Sequence, residues 1–543
     1  MVAYRAGLPL RTLGRSTADQ KQLHNSPVFL VPLHKEYGYY YGQWVTARDM
    51  NAGEWAVKAR GVIYLPRIPA QTDPEYLQFL EKATYYNGVG ITAQSMAGSL
   101  FLHEPNLAIY KTSDLTSALS MDTLPENLKK RVNLDKITKD KQSFDEFIRI
   151  LSDELILTSR AGVLIDLPRE STTEPKPYIT LYEAEQILNW RYRLLDNGEK
   201  VLDQVILWEI TEVPGLLGME EITTYRILGL DEKGEYFQEI IVPGGPLAPS
   251  SPDALSGATR TKIYPQIKGE RLTEIPFQFF GAKVNTGKVN KLILTDIMTM
   301  NLSHYRSYAE LEHGRFYTAM PTYVIAGEGI NKPAIQGTDQ GSSYIVGPNN
   351  LWLIGENDKA DILEFTGSGL TYLENALDQK QAQMATLGSK LQVQGKKMAA
   401  QSGAASQMAA LGEQATLNSI SHNIDDGMNN VFGWVLKFAN LDESYLIWLT
   451  MNKDFERADI SAREMRAIES LYERGLLDIP LIYSTFRDAG IVKSEISLEE
   501  FEVIVKKRLA EREKEKEQEF NNQVKLKNSG PSPNAGGGTR GTS

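Results

Sequence analysis

The sequence predicts an α+β protein, and three observations support this class. Between residues 150 and 280, apolar segments rich in β-branched and aromatic residues alternate with turn sequences, a pattern typical of strands. Two segments with helical character, 288–313 and 370–391, flank an insert rich in glycine and proline. Two capping boxes, one of them Ser497-x-x-Glu500, predict helices near the C-terminus.

The body of the predicted fold is a set of strands between residues 150 and 280. We expect the two regions before it to be a loop-rich aromatic packing layer over 1–60 and helices over 115–157. Short strands are also predicted in the insert, at 322–326, 343–346 and 351–354. The strands predicted for the body are Gly162–Leu167, Tyr178–Tyr182, Val201–Val213, Thr223–Leu230 and Tyr236–Val242.

The second long segment carries a heptad seam. Leucine and methionine recur from Leu370 to Leu391 at alternating steps of three and four residues, with Lys380 at the one missing position. The other face is polar and can face water or a neighbouring subunit. That face contains Glu374, Asp378, Gln379, Gln381 and Gln383.

A third helical segment starts at about Ser406 and has apolar residues spaced for one face. Gly412, Gly427 and Gly433 interrupt it, and each glycine weakens a helix by roughly 1 kcal/mol relative to alanine, so we expect bends there. The small-residue stretch 395–405 before it predicts a mobile loop with two adjacent lysines, Lys396 and Lys397.

Composition limits the class of protein. A chain of 543 residues needs several packed units, and 42% hydrophobic with 23% charged residues is typical of a soluble protein. With no apolar run of 18 residues, and an N-terminus that lacks the apolar stretch of a signal peptide, we expect neither membrane insertion nor export by a cleaved signal. Zero cysteines exclude disulfides, thiol catalysis and thiolate metal sites.

Several short motifs, in order, resemble the portal or head-to-tail connector proteins of tailed bacteriophages, in a branch described as a domain of unknown function. The resemblance extends from about Tyr64 to Leu441. The motifs are Pro177–Arg191, Ile275-Pro276-Phe277, Asn301–Arg306 with Tyr308-Ala309-Glu310, Met320-Pro321-Thr322 and Gln383–Gly388.

This resemblance implies a portal-like ring subunit, by family a dodecamer, with an α/β wing, a helical stem, a small β-rich clip and a C-terminal helical crown. It also implies a place at one vertex of the virion capsid after assembly in the host cytoplasm. The implied divisions are an N-terminal arm and wing (1–285), a stem helix (286–313), the clip (314–368), a second stem helix (369–395), a tunnel loop (396–405), a long wing helix (406–457), the crown (458–520) and a disordered tail (521–543).

The partners implied by the resemblance are further copies of the chain, double-stranded DNA in the channel, the terminase large subunit, a tail adaptor, and the major capsid and scaffolding proteins, with no membrane. Lys396 and Lys397 would touch DNA phosphates as they pass; the alternative is an ordinary solvated lysine pair. The net charge of −11 is explained by solubility alone, or by a channel through which DNA slides without adhering.

No catalytic, cofactor or metal site is predicted. Gly281–Val289 resembles a phosphate loop, but its spacing is one residue too long and Val289 replaces the hydroxyl that would bind magnesium. None of the six histidines pair at metal-ligand spacing, and for His304 and His313 a packing role is expected. Two alternatives stay open: a hydrolase using carboxylates of the α+β body, and a tail or baseplate structural protein without a DNA channel.

Overall fold

The computed structural model describes residues 31–453, except 70, 120–123, 169–175, 216–217, 244–257, 319–321, 327–358, 364–367 and 392–402. It also describes parts of 467–518. The chain divides into two compact units. The larger unit contains every element up to residue 453, and the smaller contains the C-terminal helices.

Helices open the described chain, where the sequence predicted a loop-rich layer. That prediction is wrong from Lys35 to Ala59. Tyr37, Tyr41 and Trp44 lie at helical spacing, and the ring of Tyr37 is 5.6 Å from that of Tyr41 and 5.7 Å from that of Trp44. Glycines and aromatic residues form helices weakly alone, and burial of this aromatic face compensates. The helices are α1 (Lys35–Ala52), α2 (Glu54–Ala59), α3 (Asp73–Lys82) and α4 (Gly88–Leu100).

A hairpin follows, formed by β1 (Asn106–Lys111) and β2 (Asp114–Leu119). The expected helix over 115–157 is therefore wrong in its first part. The strand β2 is almost fully exposed, so its pairing with β1 rather than its own pattern of apolar residues determines its structure. Helices α5 (Glu126–Arg131) and α6 (Phe144–Thr158) occupy the rest of that segment.

The structure confirms the strands that the sequence predicted between residues 150 and 280. A three-stranded antiparallel sheet has β3 in the centre, and a five-stranded antiparallel sheet follows the chain order β5 to β9. All of β3 is buried. The strands are β3 (Arg160–Asp166), β4 (Tyr178–Glu183), β5 (Ile187–Leu194), β6 (Lys200–Gly215), β7 (Gly218–Leu230), β8 (Tyr236–Val242), β9 (Thr259–Ile263), the short pair β10 (Gln266–Ile267) and β11 (Glu270–Arg271), and β12 (Phe277–Gly281).

Three long helices complete the larger unit. The strands β13 (Thr322–Ala326) and β14 (Lys359–Leu363) pair antiparallel between α7 and α8, so the strand predicted at 322–326 is confirmed. The predicted strands at 343–346 and 351–354 lie outside the described residues. The helices are α7 (Thr295–Thr318), α8 (Ser368–Leu391) and α9 (Gly403–Phe438).

Helix α9 packs its apolar stripe against β12 and β3, and β15 (Tyr445–Thr450) then pairs with β1. The helix is continuous through Gly412, Gly427 and Gly433. A Cβ atom at Gly427 would lie 2.2 Å from Phe280 Cε1, so glycine is required there for close packing of helix on strand. The environment of Gly433 is open, and it has no such role.

The smaller unit contains α10 (Ile479–Asp488) and a helix over 498–508. The capping box predicted at Ser497 is confirmed: Glu500 N donates to Ser497 Oγ, and Ser497 N donates to Glu500 Oε2, both at 3.2 Å. The other predicted box, at Ser461, lies outside the described residues. No helix within the described part of the chain is long and apolar enough to cross a membrane.

Candidate functional site

The helices α7 and α8 form an antiparallel hairpin whose register continues into the strand pair. His304 faces Gln381, Ser307 faces Lys380, and Arg315 faces Glu374. Beyond the ends of the helices, Thr322 pairs with Leu363 in the same antiparallel sense. One two-stranded rod, helical in one part and extended in the other, therefore leads into the insert and back.

The heptad seam predicted for α8 is the face that packs on α7. Leu377 and Met384 are buried, and Lys380 occupies the position between them. The Lys380 ammonium donates to Ser307 Oγ at 2.7 Å and to the Ser303 carbonyl at 3.3 Å. A cation fits this seam because α7 presents two oxygens opposite it.

The opposite face of α8 is exposed, as the sequence predicted. Its exposed side chains are short or polar, apart from Tyr372, which is 78% exposed. A helix with one buried stripe and one polar face can stand at a water-filled boundary. The predicted polar residues Glu374, Asp378, Gln379, Gln381 and Gln383 are all exposed. Glu374 and Gln381 also reach α7, where they contact Arg315 and His304.

The other side of α7 is fixed to the N-terminal helices by a buried amide. Asn301 is fully buried, and its Oδ1 accepts hydrogen bonds from Val89 N at 3.1 Å and from the Tyr85 hydroxyl at 3.2 Å. Its Nδ2 donates to the Tyr86 carbonyl at 2.7 Å. The start of α4 is thus connected to α7, which explains why an asparagine stands in an otherwise apolar position.

The two histidines of α7 have packing positions, as expected. His304 is buried, its Nε2 lies 3.1 Å from Gln381 Nε2, and burial, with Lys380 nearby, lowers its pKa. The ring of His313 meets that of Phe79 at 5.3 Å, and burial also lowers its pKa, helped by Lys82. Both rings are therefore neutral near pH 7.

Lys396 and Lys397, the predicted DNA contacts, lie outside the described residues. They belong to the segment between Leu391, where α8 ends, and Gly403, where α9 begins. Their role stays a prediction.

The segment Gly281–Val289 does not form a phosphate loop. Three of its amides already have acceptors: Gly281 N donates to Asn285 Oδ1, Gly287 N to the Tyr192 hydroxyl, and Val289 N to Glu36 Oε2. The next helix in the chain begins only at Thr295, so the motif does not open a helix as a phosphate loop does. The absence of nucleotide binding at this motif stays a prediction.

What sequence reasoning missed in this segment is a rigid loop that displays lysines. The side chains of Lys283, Lys288 and Lys291 are exposed, whereas the backbone between them is fixed. The buried Arg160 guanidinium donates to the Gly287 carbonyl at 3.0 Å and lies 4.1 Å from the Trp190 ring. Three lysines without an acidic residue from 281 to 291 are the signal that could have revealed it.

A carboxylate cluster lies in the α+β body, where the hydrolase alternative would need one. Arg48 binds Glu185 at 2.6 Å and Glu154 at 2.7 Å, and lies 3.4 Å from Glu183. Burial, with the two neighbouring carboxylates, raises the pKa of Glu183 to about 7 although Arg48 opposes the shift. Two of the three carboxylates are thus held by one arginine, an arrangement that links α1, α6 and the turn between β4 and β5. Within the described ranges, no group of three or more carboxylate or histidine side chains could hold a metal ion.

Comparison with known proteins gives one family match. Residues 293–439 match the profile described as Domain of unknown function (DUF4055), which covers α7, the insert, α8 and α9. This match confirms the resemblance to that branch, over the helix hairpin on which the sequence argument depended. No curated protein matches the chain.

Among solved structures, the chain is similar to the neck of an empty GTA particle computed with C6 symmetry, at 10% identity and a TM-score of 0.33, over 78% of this chain and 94% of that one. It is also similar to the virion of a native gene transfer agent (GTA) particle, at 11% identity and a TM-score of 0.33, over 79% and 96%. Likeness at this level does not establish a shared fold.

Proposed function

We propose that this chain is a portal subunit. Copies form a closed ring of twelve at one capsid vertex, and double-stranded DNA enters and leaves through the channel. The ring docks the terminase large subunit during packaging and a tail adaptor afterwards, and it contacts the major capsid and scaffolding proteins. It performs no catalysis, and a separate ATPase supplies the packaging energy.

The observation that supports this proposal most directly is the α7–α8 hairpin with its continuous register into β13 and β14. One face of α8 is buried against α7 and the other is polar and exposed. Rods of this kind can stand side by side around an aqueous bore, because each closes its own seam and leaves a hydrophilic face for the channel or the neighbouring rod.

The charge of the chain fits a channel for DNA. With a net charge of −11, the surface as a whole does not attract phosphates, so DNA can slide with little adhesion. In this proposal Lys396 and Lys397 are local exceptions that touch passing phosphates. The insert is the surface for the motor and the adaptor, because it stands in the chain between the two helices of the rod, as the clip does in the family that the chain resembles.

Light scattering and negative-stain microscopy test the proposal together. The expected particle has twelve times the 60.8 kDa of one chain and a central hole. Material that stays monomeric at every concentration, or that lies away from the unique fivefold vertex in virions, would overturn it. An oligomer without a hole would favour the tail or baseplate alternative, and a monomer with hydrolytic activity would favour the enzyme.

A further inference from the structure

The β6–β7 hairpin extends beyond the sheet that contains it. Strand β5 pairs with β6 only as far as Leu207, and β8 pairs with β7 only from Tyr225. Between these limits, Ile210 to Thr223 form a ribbon of two strands that pair with each other. Among the described residues no third strand pairs with this ribbon. A two-stranded ribbon without further packing is at best marginally stable, so burial of one of its faces would stabilise it.

One face of the ribbon has the composition of a docking surface. Residues opposite each other in an antiparallel pair lie on the same side, and every second residue follows. Ile210 is 52% exposed and Met219 is 62% exposed, so apolar area on this face lies in water. Between them, Glu212 and Glu221 lie directly opposite each other, and both are exposed. The whole face, all of it exposed, is Ile210, Glu212, Pro214, Met219, Glu221 and Thr223.

The loop 281–291 has the complementary composition. Lys283, Lys288 and Lys291 are exposed in this loop, and Val284 of the same loop is 46% exposed. Asn290 Nδ2 donates to the Val284 carbonyl at 3.2 Å, and this bond brings the two ends of the loop together. Lys291 lies 3.6 Å from Asp296, a weak exposed pair that leaves most of the positive charge uncompensated.

The two surfaces of one chain lie far apart. The loop is anchored at Tyr192, which pairs with Leu202 near the beginning of β6. The ribbon lies toward the other end of that strand, and its centre at Glu212 is roughly 33 Å from Leu202 at about 3.3 Å per residue. A contact between ribbon and loop therefore joins two copies. Because the two surfaces differ, the contact is head-to-tail, which is the type that closes into a ring.

We propose that the ribbon face of one copy docks on the lysine loop 281–291 of the next copy. This inference rests on the proposed ring and names the surfaces that hold it together. Glutamates meet lysines at the edge of the contact, and Ile210 and Met219 cover Val284. Opposite charges select the correct neighbour, and the apolar side chains supply buried area.

Charge reversal with rescue tests this contact in the full-length protein. E212K/E221K and K283E/K291E should each raise the concentration needed for half-assembly by about tenfold at physiological salt, as expected for loss of close interfacial charge pairs. The variant with all four changes should assemble like wild type, because the pairs form again with reversed signs. Matched controls are E232K/E270K and K136E/K139E, which change exposed residues elsewhere and should leave assembly unchanged.

The outcomes separate this inference from the proposed function. If wild type forms no ring, the proposed function fails. If wild type forms rings and the four-change variant assembles no better than the two-change variants, the proposed contact between ribbon and loop is rejected. The proposed ring is not affected by that result. Weaker binding of duplex DNA by K283E/K291E with unchanged assembly would also overturn the contact and assign the loop to nucleic acid. Circular dichroism checks folding, and E212Q/E221Q, a milder change, should weaken assembly in the same direction.

Discussion

The ammonium of Lys380 lies 2.7 Å from Ser307 Oγ, inside the seam between the two helices of the rod. A leucine would continue the heptad at this position, and the chain has a charged hydrogen bond there instead. Polar groups at single seam positions fix register, since a shifted pairing would leave the charge without a partner.

Substituting Lys380 with methionine should lower the free energy of unfolding by about 1–2 kcal/mol, because two hydrogen bonds from a charged donor disappear while the aliphatic packing stays. S307A should lower the free energy of unfolding by less than K380M does. Each single change leaves one polar group in the seam without its partner. The loss of unfolding free energy in K380M/S307A should therefore be smaller than the sum of the losses in the two single variants. Urea unfolding of all four proteins, as a double-mutant cycle, measures this difference. Strict additivity would mean that the pair does not interact.

Two glycines of α9 should respond in opposite ways to alanine. G427A should destabilise by about 2 kcal/mol, because the new methyl group would overlap the Phe280 ring. G433A should stabilise by up to about 1 kcal/mol, because nothing lies near the added atom and alanine favours helix. Thermal unfolding of both variants measures this difference, and a stabilising G427A would contradict the packing of α9 on β12.

The raised pKa of Glu183 predicts a pH dependence. Its folded value of about 7 exceeds the ordinary value of 4.5, so the folded state holds the proton more tightly. Its contribution to stability is complete below the unfolded pKa and is lost as pH rises through about 7. E183Q should therefore unfold at a higher temperature than wild type at about pH 8, and at nearly the same temperature at about pH 4. E232Q, on an exposed turn, should show no such difference.

Removing both lysines of the predicted tunnel loop tests their contact with DNA. K396A/K397A should change the amount of DNA packaged or retained per particle, since two phosphate contacts are lost. The matched control is K506A/K507A, which removes another adjacent pair, exposed on the helix over 498–508. Packaging and retention equal to wild type would make the first pair ordinary solvated lysines.

Deleting residues 334–342 from the insert should impair binding of the terminase or adaptor and leave ring assembly intact. The reason is that the deleted segment lies in the chain between β13 and β14, while the helix seam lies outside it. Pull-down of each partner and light scattering of the ring measure the two effects. Deleting 535–543, a stretch of the same length in the predicted tail, serves as the control. If the first variant no longer forms the ring, the insert is needed for assembly and not for partner binding alone, which would contradict the prediction.

Local sequence patterns predicted the parts of the fold that local physics determines. The strands from Gly162 to Val242 follow from β-branched residues and turns, and the seam of α8 follows from heptad spacing. The box at Ser497 needs only residues three apart in sequence. These features do not depend on distant parts of the chain.

Features determined by distant contacts were missed or misjudged. Helix α1 is rich in glycine and aromatic residues, and it forms because its aromatic face is buried. Strand β2 owes its structure to β1. In the candidate site, the seam and the polar face of α8 could be predicted, whereas the fixed backbone of 281–291 could not, because its partners Glu36, Arg160 and Tyr192 lie far away in sequence.

The paired strands β13 and β14 close the rod before the rest of the insert begins, with Ala326 opposite Lys359. The two ends of everything between them are therefore held side by side, whatever that interval contains. Replacing it with an unrelated small domain whose termini are adjacent should leave the rod undisturbed, since closing a longer loop costs little. This site is a natural place to graft foreign sequences, because the helices of the rod need no change to accept them.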